Sequence, residues 1–337
     1  MTSATPASEN KDAGRILRVG VIGAGVMGSN HARVLAGLPG IALAGIADPV
    51  QTHRARTAEQ LGCPTFETVD ELLAAGLDAV TIAAPTHLHR EVALACIAQK
   101  VNLLVEKPIA STVAEGREIV TAARKAGLTL MVGHVERFNP AVVAIKEAIK
   151  DEEILSIGIT RVGPFPPRMS NVGVVIDLAV HDIDLIRWFT ESDIIDVQPQ
   201  LASAVAERED IALLQFRTSS GVLAHINTNW LTPFKARSVT VATRGKYVQG
   251  DLLTRQVTEC FGFKRDGSYS MRHLSVGHDE PLRAELLAFL HAVRNGVVPA
   301  VTGDEGVASL EIAIRCLDVP ANSIARSERQ GPRAVVG

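Results

Sequence analysis

The stretch ILRVGVIGAGVMGSNHARVLAG at residues 16–37 joins a short apolar run to a helical pattern through a glycine-rich turn. The run at 16–23 is almost continuously apolar, which is typical of a strand buried on both faces of a parallel sheet. The turn GAGVMG at 23–28 has the spacing GxGxxG. A strand, this turn and a helix in that order predict the start of a dinucleotide-binding unit.

The same alternation continues along the first part of the chain. Further strand-like runs lie at 41–48, 77–85, 101–108 and 128–134, and helical patterns lie at 86–100 and 112–127. Short buried strands separated by helices indicate βαβ units and a doubly wound parallel sheet. We therefore expect a Rossmann domain over residues 15–138, after a disordered polar tail at 1–14 that has no apolar core of a signal peptide.

Each glycine of the turn has a separate predicted role. Gly23 permits the tight turn, Gly25 lets the backbone approach a pyrophosphate, and Gly28 allows close packing of helix on strand. The pyrophosphate would then lie at the helix N-terminus. Asp48 ends the next strand, twenty positions after Gly28. Its carboxylate should accept hydrogen bonds from the adenosine ribose and repel a 2′-phosphate, which favours NAD over NADP.

The composition narrows the class of protein. The chain has 337 residues, enough for two domains, and its net charge of −3 argues against non-specific binding to nucleic acid or membrane surfaces. No apolar run has the roughly 18 residues that a membrane span needs. The four cysteines form no CxxC pair, so neither a zinc ribbon nor a disulfide framework is expected. This pattern is typical of a cytoplasmic protein with reduced thiols.

The helix VVIDLAVHDIDLIRWF at 174–189 carries charge among its apolar residues. At about 100° per residue, Asp177, His181 and Asp184 fall within one sector of a regular helix. A buried carboxylate beside an imidazole costs stability unless it has partners or a task. The trio offers too few convergent ligands for a metal site, because Asp182 points away from His181, and Asp184 is expected to buttress the site instead.

The combination of motifs resembles the glucose–fructose oxidoreductase / inositol dehydrogenase family. The motifs are GxGxxG, an acid after the second strand, EKP at 106–108, and the later DxxxH at 177–181. The resemblance implies an N-terminal Rossmann domain and, over 139–337, a C-terminal α/β domain with a large, mostly antiparallel sheet that packs in homodimers or homotetramers. Independently, strand-like runs at 154–163, 210–231 and 237–252 and helices at 281–296 and 303–317 agree with that fold.

The family pattern and the strand ends together predict the cofactor contacts. AAPTHLHRE (83–91) and VEKPIA (105–110) follow strands, where ligands bind in open α/β sheets. The Lys–Pro bond could be cis and would fix the direction of the lysine. Beside Asp48 and the three glycines, the predicted contacts are Val26, Met27, Ala84, Pro85, Thr86, His89, Glu106 and Lys107.

Oxidation of an alcohol needs a base near the departing hydride, and histidine titrates closest to neutral pH. We expect His181 to be that base, Asp177 to orient its ring, and Lys107 to hold the reacting oxygen and stabilise alkoxide charge. Family members differ in whether the lysine or the histidine accepts the proton.

Three stretches, at 133–142, 174–189 and 227–241, are similar to a subgroup that oxidises the C3 hydroxyl of UDP-N-acetylglucosamine. In that subgroup a pyridoxal-phosphate aminotransferase then makes a 3-amino sugar for lipid A. Other residues expected to contact the substrate are Arg137, Asn139, Arg168, Asn229, Trp230 and Lys235, with the indole as a stacking face.

Three alternatives remain open from the sequence. A UDP-sugar uronate, or another sugar or cyclitol, could be the substrate, and the uronate would need an added cation such as Arg137, Arg161 or Arg168. An NAD-binding sensor or scaffold without turnover would have no need of Lys107, Asp177 and His181 together. A metal-assisted, glycosidase-type use of NAD would require a tightly bound metal.

Overall fold

The computed structural model describes residues 15–166, 172–318 and 322–323. The predicted tail at 1–14 and Arg168 lie outside these residues. The chain divides into two compact units, one formed by 15–138 with 279–310 and the other by 139–278 with the described residues from 311 onward. The continuous boundary predicted at 138/139 is therefore corrected, because the segment 279–310 belongs to the first unit.

The first unit is built on a six-stranded parallel sheet with the order β3-β2-β1-β4-β5-β6. This order is that of a dinucleotide-binding Rossmann fold. Its strands are β1 (Leu17–Ile22), β2 (Ile41–Ala47), β3 (Thr65–Phe66), β4 (Ala79–Ile82), β5 (Asn102–Glu106) and β6 (Leu130–Gly133). Its helices are α1 (Val26–Ala36), α2 (Gln51–Leu61), α3 (Val69–Ala74), α4 (His89–Ala98) and α5 (Val113–Ala126).

Local sequence explains where α5 begins and ends. Thr112 and Glu115 form a reciprocal capping box at its N-terminus, which satisfies two backbone N–H groups. Gly127 takes the left-handed conformation, with φ 69°, at its C-terminus. The 3₁₀ turn Val135–Phe138 follows β6, and α8 (Pro281–Asn295) from the later segment packs against this turn and against α1.

The second unit is built on a mixed sheet in which the described residues form nine strands, ordered β14-β13-β12-β11-β7-β10-β9-β8-β15. Among the described strands, only the β7–β10 and β8–β15 pairs are parallel, as expected for a mostly antiparallel sheet. The strands are β7 (Ile154–Pro164), β8 (Ile194–Ser203), β9 (Ile211–Thr218), β10 (Leu223–Asn229), β11 (Leu231–Thr243), β12 (Lys246–Asp251), β13 (Gln256–Phe261), β14 (Ser270–His273) and β15 (Asn322–Ser323). Its helices are α6 (Pro140–Ala148) and α7 (Val180–Thr190), and α9 (Gly303–Leu317) follows α8 along the chain.

One face of this sheet is covered and the other carries exposed apolar side chains. Burial alternates along β9, where Leu214 and Phe216 belong to the core and Leu213 is half exposed. Leu223, Phe234 and Met271 are also exposed on strands of this sheet. No helix among the described residues combines the length and the apolar character needed to span a membrane.

Candidate active site

The glycine-rich turn between β1 and α1 has little spare room at two of its glycines. Gly23 has φ 94°, and its N–H donates to the carbonyl oxygen of Ala47 at 2.7 Å. A Cβ built on Gly28 would lie 1.7 Å from the carbonyl oxygen of Gly23. A Cβ built on Gly25, in contrast, meets no atom within 4 Å. Gly23 and Gly28 are therefore needed for the turn itself, while Gly25 borders open space at the N-terminus of α1.

Asp48 is fixed at the end of β2 by backbone amides. Its Oδ2 accepts a hydrogen bond from the Ala24 N–H at 2.7 Å, and its Oδ1 accepts one from the Val50 N–H at 2.8 Å. His53 Nδ1 lies 3.3 Å from the same carboxylate. The carboxylate thus braces the glycine-rich turn, and its predicted contact with a ribose must use the lone pairs that remain.

A groove of about 450 Å³ runs along this edge of the first sheet. Five predicted cofactor contacts line it, namely Gly23, Gly25, Asp48, Ala84 and Pro85. Sequence reasoning missed His53, Glu67, Val69 and Leu88, which also line it and lie in α2, in α3 or near the strand ends. Val26 is exposed and Met27 is half-buried on the first turn of α1, and Thr86 begins the 3₁₀ turn Thr86–Leu88.

His89 joins the loops that follow β4 and β5. It is buried, with Nδ1 3.0 Å from the Pro108 carbonyl oxygen and Nε2 2.9 Å from that of Ala84. Burial lowers the pKa of His89, although both carbonyl contacts act in the opposite direction. The Lys107–Pro108 bond is cis. Because both ring nitrogens contact backbone carbonyls, the side chain of His89 supports these loops.

Lys107 is half-buried directly after β5, beside the buried carboxylate of Glu106. Glu106 Oε1 lies 2.9 Å from His31 Nε2, and its Oε2 accepts from the Lys107 backbone N–H at 3.2 Å. Burial alone would raise the pKa of Glu106, but the hydrogen bond from His31 and the charges of His31 and Lys107 outweigh it and lower that pKa. A fixed negative charge therefore lies next to Lys107.

The helix that carries Asp177 and His181 does not start as a regular α-helix. Residues Val175–Ala179 form a π-helical turn before α7. The angle of about 100° per residue, which placed Asp177, His181 and Asp184 in one sector of the helix, is therefore wrong for this turn. A π-helical turn contains more residues than an α-helical one. Such turns are frequent at functional sites. Asp177 and His181 are half-buried, whereas Asp184 is buried.

A glutamate from a distant loop holds the start of this turn. The Val175 N–H donates to Glu209 Oε1 at 3.2 Å, and the Val174 N–H donates to the Glu209 carbonyl oxygen at 3.0 Å. The side chain of Glu209 also fills the space where a Cβ on Gly173 would lie. Burial raises the pKa of Glu209. The sequence contains no local signal for this contact.

The buried Asp182 pairs with the buried Arg161 of β7. The guanidinium makes several bonds of 2.7 to 3.0 Å to this carboxylate. Arg137 in the first unit is likewise buried, and it donates to Glu305 at 2.7 Å. Two of the three cations considered for a uronate are therefore already paired with carboxylates.

The other predicted substrate contacts have varied surroundings. Asn139 is the N-cap of α6, and its amide donates to the Leu252 carbonyl oxygen. Trp230 is buried and packs edge-on against Phe165 with ring centroids 5.7 Å apart, which argues against a stacking face for a sugar. Asn229 accepts from the Leu231 N–H, and Lys235 is exposed on β11.

Comparison with known proteins settles the family. A model of the oxidoreductase family with an NAD-binding Rossmann fold matches residues 17–134, and the GFO/IDH/MocA C-terminal domain matches residues 161–248. The chain belongs to the GFO/IDH/MocA oxidoreductase family. It is thus a member of an NAD-binding family, with the Rossmann domain and the mostly antiparallel second sheet expected from the sequence.

Individual members of the GFO/IDH/MocA family are similar over much of the chain. UDP-N-acetylglucosamine 3-dehydrogenase of Acidithiobacillus ferrooxidans is 31% identical over 70% of this chain and 74% of its own length. A solved structure of that enzyme superposes with a TM-score of 0.84, at 28% identity, over 89% of this chain and 96% of the other. Inositol 2-dehydrogenase of Rubrobacter xylanophilus is 32% identical over 89% of this chain and 90% of its own length.

Proposed function

We propose that this protein uses NAD to oxidise the C3 hydroxyl of UDP-N-acetylglucosamine to a ketone. The observation that carries the proposal is its similarity to the Acidithiobacillus ferrooxidans 3-dehydrogenase, in sequence and over most of the fold. Lys107 of the EKP motif, Asp177 and His181 supply the groups that alcohol oxidation requires. The keto sugar nucleotide would then suit a pyridoxal-phosphate aminotransferase that makes a 3-amino sugar for lipid A.

When bound, NAD would supply the acceptor for the hydride that leaves the sugar carbon. His181 takes the hydroxyl proton, and Asp177, on the turn before it, holds the ring in the tautomer that can accept. Lys107 donates to the same oxygen and stabilises the developing alkoxide, with the Glu106 carboxylate fixed beside it. To hold NAD, Gly25 would leave room for the pyrophosphate at the turn, and Asp48 would accept hydrogen bonds from the ribose hydroxyls.

The inositol dehydrogenase relative supports a second candidate. It matches 89% of this chain at 32% identity, so sequence similarity supports a cyclitol substrate about as well as it supports UDP-N-acetylglucosamine. The uronate is less favoured, since Arg161 and Arg137 are already engaged by Asp182 and Glu305. We also propose that the exposed apolar side chains of the second sheet, including Leu213 and Leu223, form the contact of a homo-oligomer.

The test is the appearance of NADH absorbance when the protein is mixed with NAD and one sugar at a time. UDP-N-acetylglucosamine, its uronate, free N-acetylglucosamine and myo-inositol form the panel, in alkaline buffer because the oxidation is uphill near neutral pH. NADH should form with UDP-N-acetylglucosamine and be lost in His181→Ala and Lys107→Ala. The exposed His278→Ala is the control and should retain activity. NADH with myo-inositol alone would replace the proposal with the second candidate.

A further inference from the structure

A buried cluster of three ionisable side chains lies in the first unit. His31 on α1, Glu106 at the end of β5 and Glu285 on α8 are all buried. A side-chain nitrogen or oxygen of each lies within 4.8 Å of those of the other two. Neither His31 nor Glu285 belongs to the motifs at 23–28, 106–108 or 177–181. Because burying a charge away from water costs free energy unless the charge is paired, such a cluster can carry few charges.

Glu285 is the member whose charge would have no compensation. Its side chain is fully buried, and neither carboxyl oxygen has a hydrogen-bond partner among the described residues. Glu106, in contrast, has His31 Nε2 at 2.9 Å and the Lys107 N–H at 3.2 Å. The Nδ1 of His31 also has no partner within the described part of the chain.

Among the described residues, the basic side chains on the elements packed against α8 already contact other carboxylates, and His31 of α1 contacts Glu106. On α1, Arg33 bonds to Glu280, at the N-terminus of α8. On the 3₁₀ turn Val135–Phe138 the charged residues are Glu136 and Arg137, and Arg137 pairs with Glu305. Burial first, and then the negative charge of Glu106, raise the pKa of Glu285 well above its usual value. The cluster therefore has a place for one negative charge, on Glu106.

We propose that Glu285 remains a neutral acid whose buried side chain, within 4.8 Å of Glu106, fills the space beside that ionised carboxylate and so keeps it in place next to Lys107, which makes Glu285 a positioning residue for that lysine. The effect on catalysis rests on the role of Lys107 in the proposed function. Two adjacent buried carboxylates repel each other, so ionisation of Glu285 would displace Glu106. Lys107 follows Glu106 directly in the chain and donates its N–H to that carboxylate, so it moves with it.

The first measurement asks whether Glu285 carries a proton. Infrared spectra of the full-length protein in D₂O at about pH 8 are compared with those of Glu285→Gln, which keeps the shape of the neutral acid. The carbonyl band of a protonated carboxyl should be present in the wild type, absent in Glu285→Gln, and present in the control Glu147→Gln, whose side chain is exposed. The same carbonyl band in the wild type and in Glu285→Gln would overturn the proposal. A stoichiometric bound metal, found by elemental analysis, would also overturn it.

The second measurement is the dependence of stability on pH. Folded Glu285 keeps a proton that the unfolded chain releases above its ordinary pKa of 4.5, so rising pH favours unfolding. Relative to Glu285→Gln, the unfolding constant of the wild type should rise about tenfold per pH unit until Glu285 ionises in the folded protein. If the unfolding constants of the wild type and of Glu285→Gln depend on pH in the same way, the proposal is contradicted. Glu285→Met, which also removes the acid, takes the place of the Gln variant if that variant does not fold.

The third measurement reports on Lys107 without any substrate. The rate at which an amine reagent labels Lys107, followed by mass spectrometry, should change several-fold in Glu285→Ala, where Glu106 can move, and return to the wild-type rate in Glu285→Gln. Equal rates in all three proteins would remove the positioning role. Failure of every sugar to give NADH would refute the proposed function while leaving these three measurements valid.

Discussion

A methyl group at Gly25 should weaken NAD binding strongly without unfolding the protein. Gly25 has φ −67° and ψ −164°, a conformation open to alanine, and its added Cβ meets no atom within 4 Å. Alanine is a poorer N-cap than glycine but restricts the unfolded chain, and these effects of about 0.5–1 kcal/mol oppose each other. We expect the free energy of unfolding of Gly25→Ala to change by less than about 1 kcal/mol.

The cost in binding follows from the space that the methyl group takes. If the pyrophosphate approaches the backbone at Gly25, the added carbon holds it away from the amides at the N-terminus of α1. Each charge-assisted hydrogen bond lost costs about 1.5–3 kcal/mol, which is roughly a 10- to 150-fold increase in Kd. Calorimetric titration with NAD measures this change, and urea unfolding measures stability.

Two further glycines serve as comparisons. In Gly28→Ala the Cβ would lie 1.7 Å from the Gly23 carbonyl oxygen, so the turn must shift by on the order of 1 Å and stability should fall by at least about 1–3 kcal/mol. In Gly37→Ala the nearest atom is 3.6 Å away, so both binding and stability should be retained. Wild-type affinity for NAD in Gly25→Ala would refute the placement of the dinucleotide at this turn.

Two other predictions test buried groups. Asp182→Ala leaves the buried Arg161 without its carboxylate and should cost about 3–5 kcal/mol of unfolding free energy. Asp193→Ala removes an ion pair with Arg187 whose carboxylate is exposed, and should cost about 0–1 kcal/mol. Equal losses in urea unfolding would show that the Arg161 pair is not desolvated. Burial raises the pKa of both Cys96 and Cys316 to about 12, so neither thiol should react with a disulfide reagent at about pH 8 until the protein is denatured. Labelling of either in the native protein, located by mass spectrometry, would contradict their burial.

The first domain could be predicted closely because its signals are local. The glycines at 23, 25 and 28 describe the β1–α1 turn, and Thr112 with Gly127 marks both ends of α5. In these places the residue type itself satisfies a backbone requirement, so short stretches of sequence contain the information. The hairpin of β9 and β10 likewise has its Ser-Ser-Gly turn, in which Gly221 has φ 89°.

What the sequence did not predict depends on contacts between distant residues. The π-helical turn before α7 is held by Glu209, and the charge of Glu106 is linked to Glu285 on α8. The sequence contains no signal that 279–310 belongs to the first unit. A helical pattern shows that one face of the helix is buried, but not which sheet it packs against. Trp230 has an aromatic side chain of the kind that stacks on sugars, yet it lies in the core against Phe165.

The central claim, that hydride leaves the sugar C3 for NAD, is tested most directly with UDP-N-acetylglucosamine deuterated at C3. After incubation with the protein and NAD, the reduced cofactor is isolated and its mass is determined. The account predicts one deuterium in each molecule of NADH formed, and none when Lys107→Ala or His181→Ala replaces the wild type. NADH that forms without deuterium, or no NADH from this substrate while myo-inositol yields it, would contradict the account.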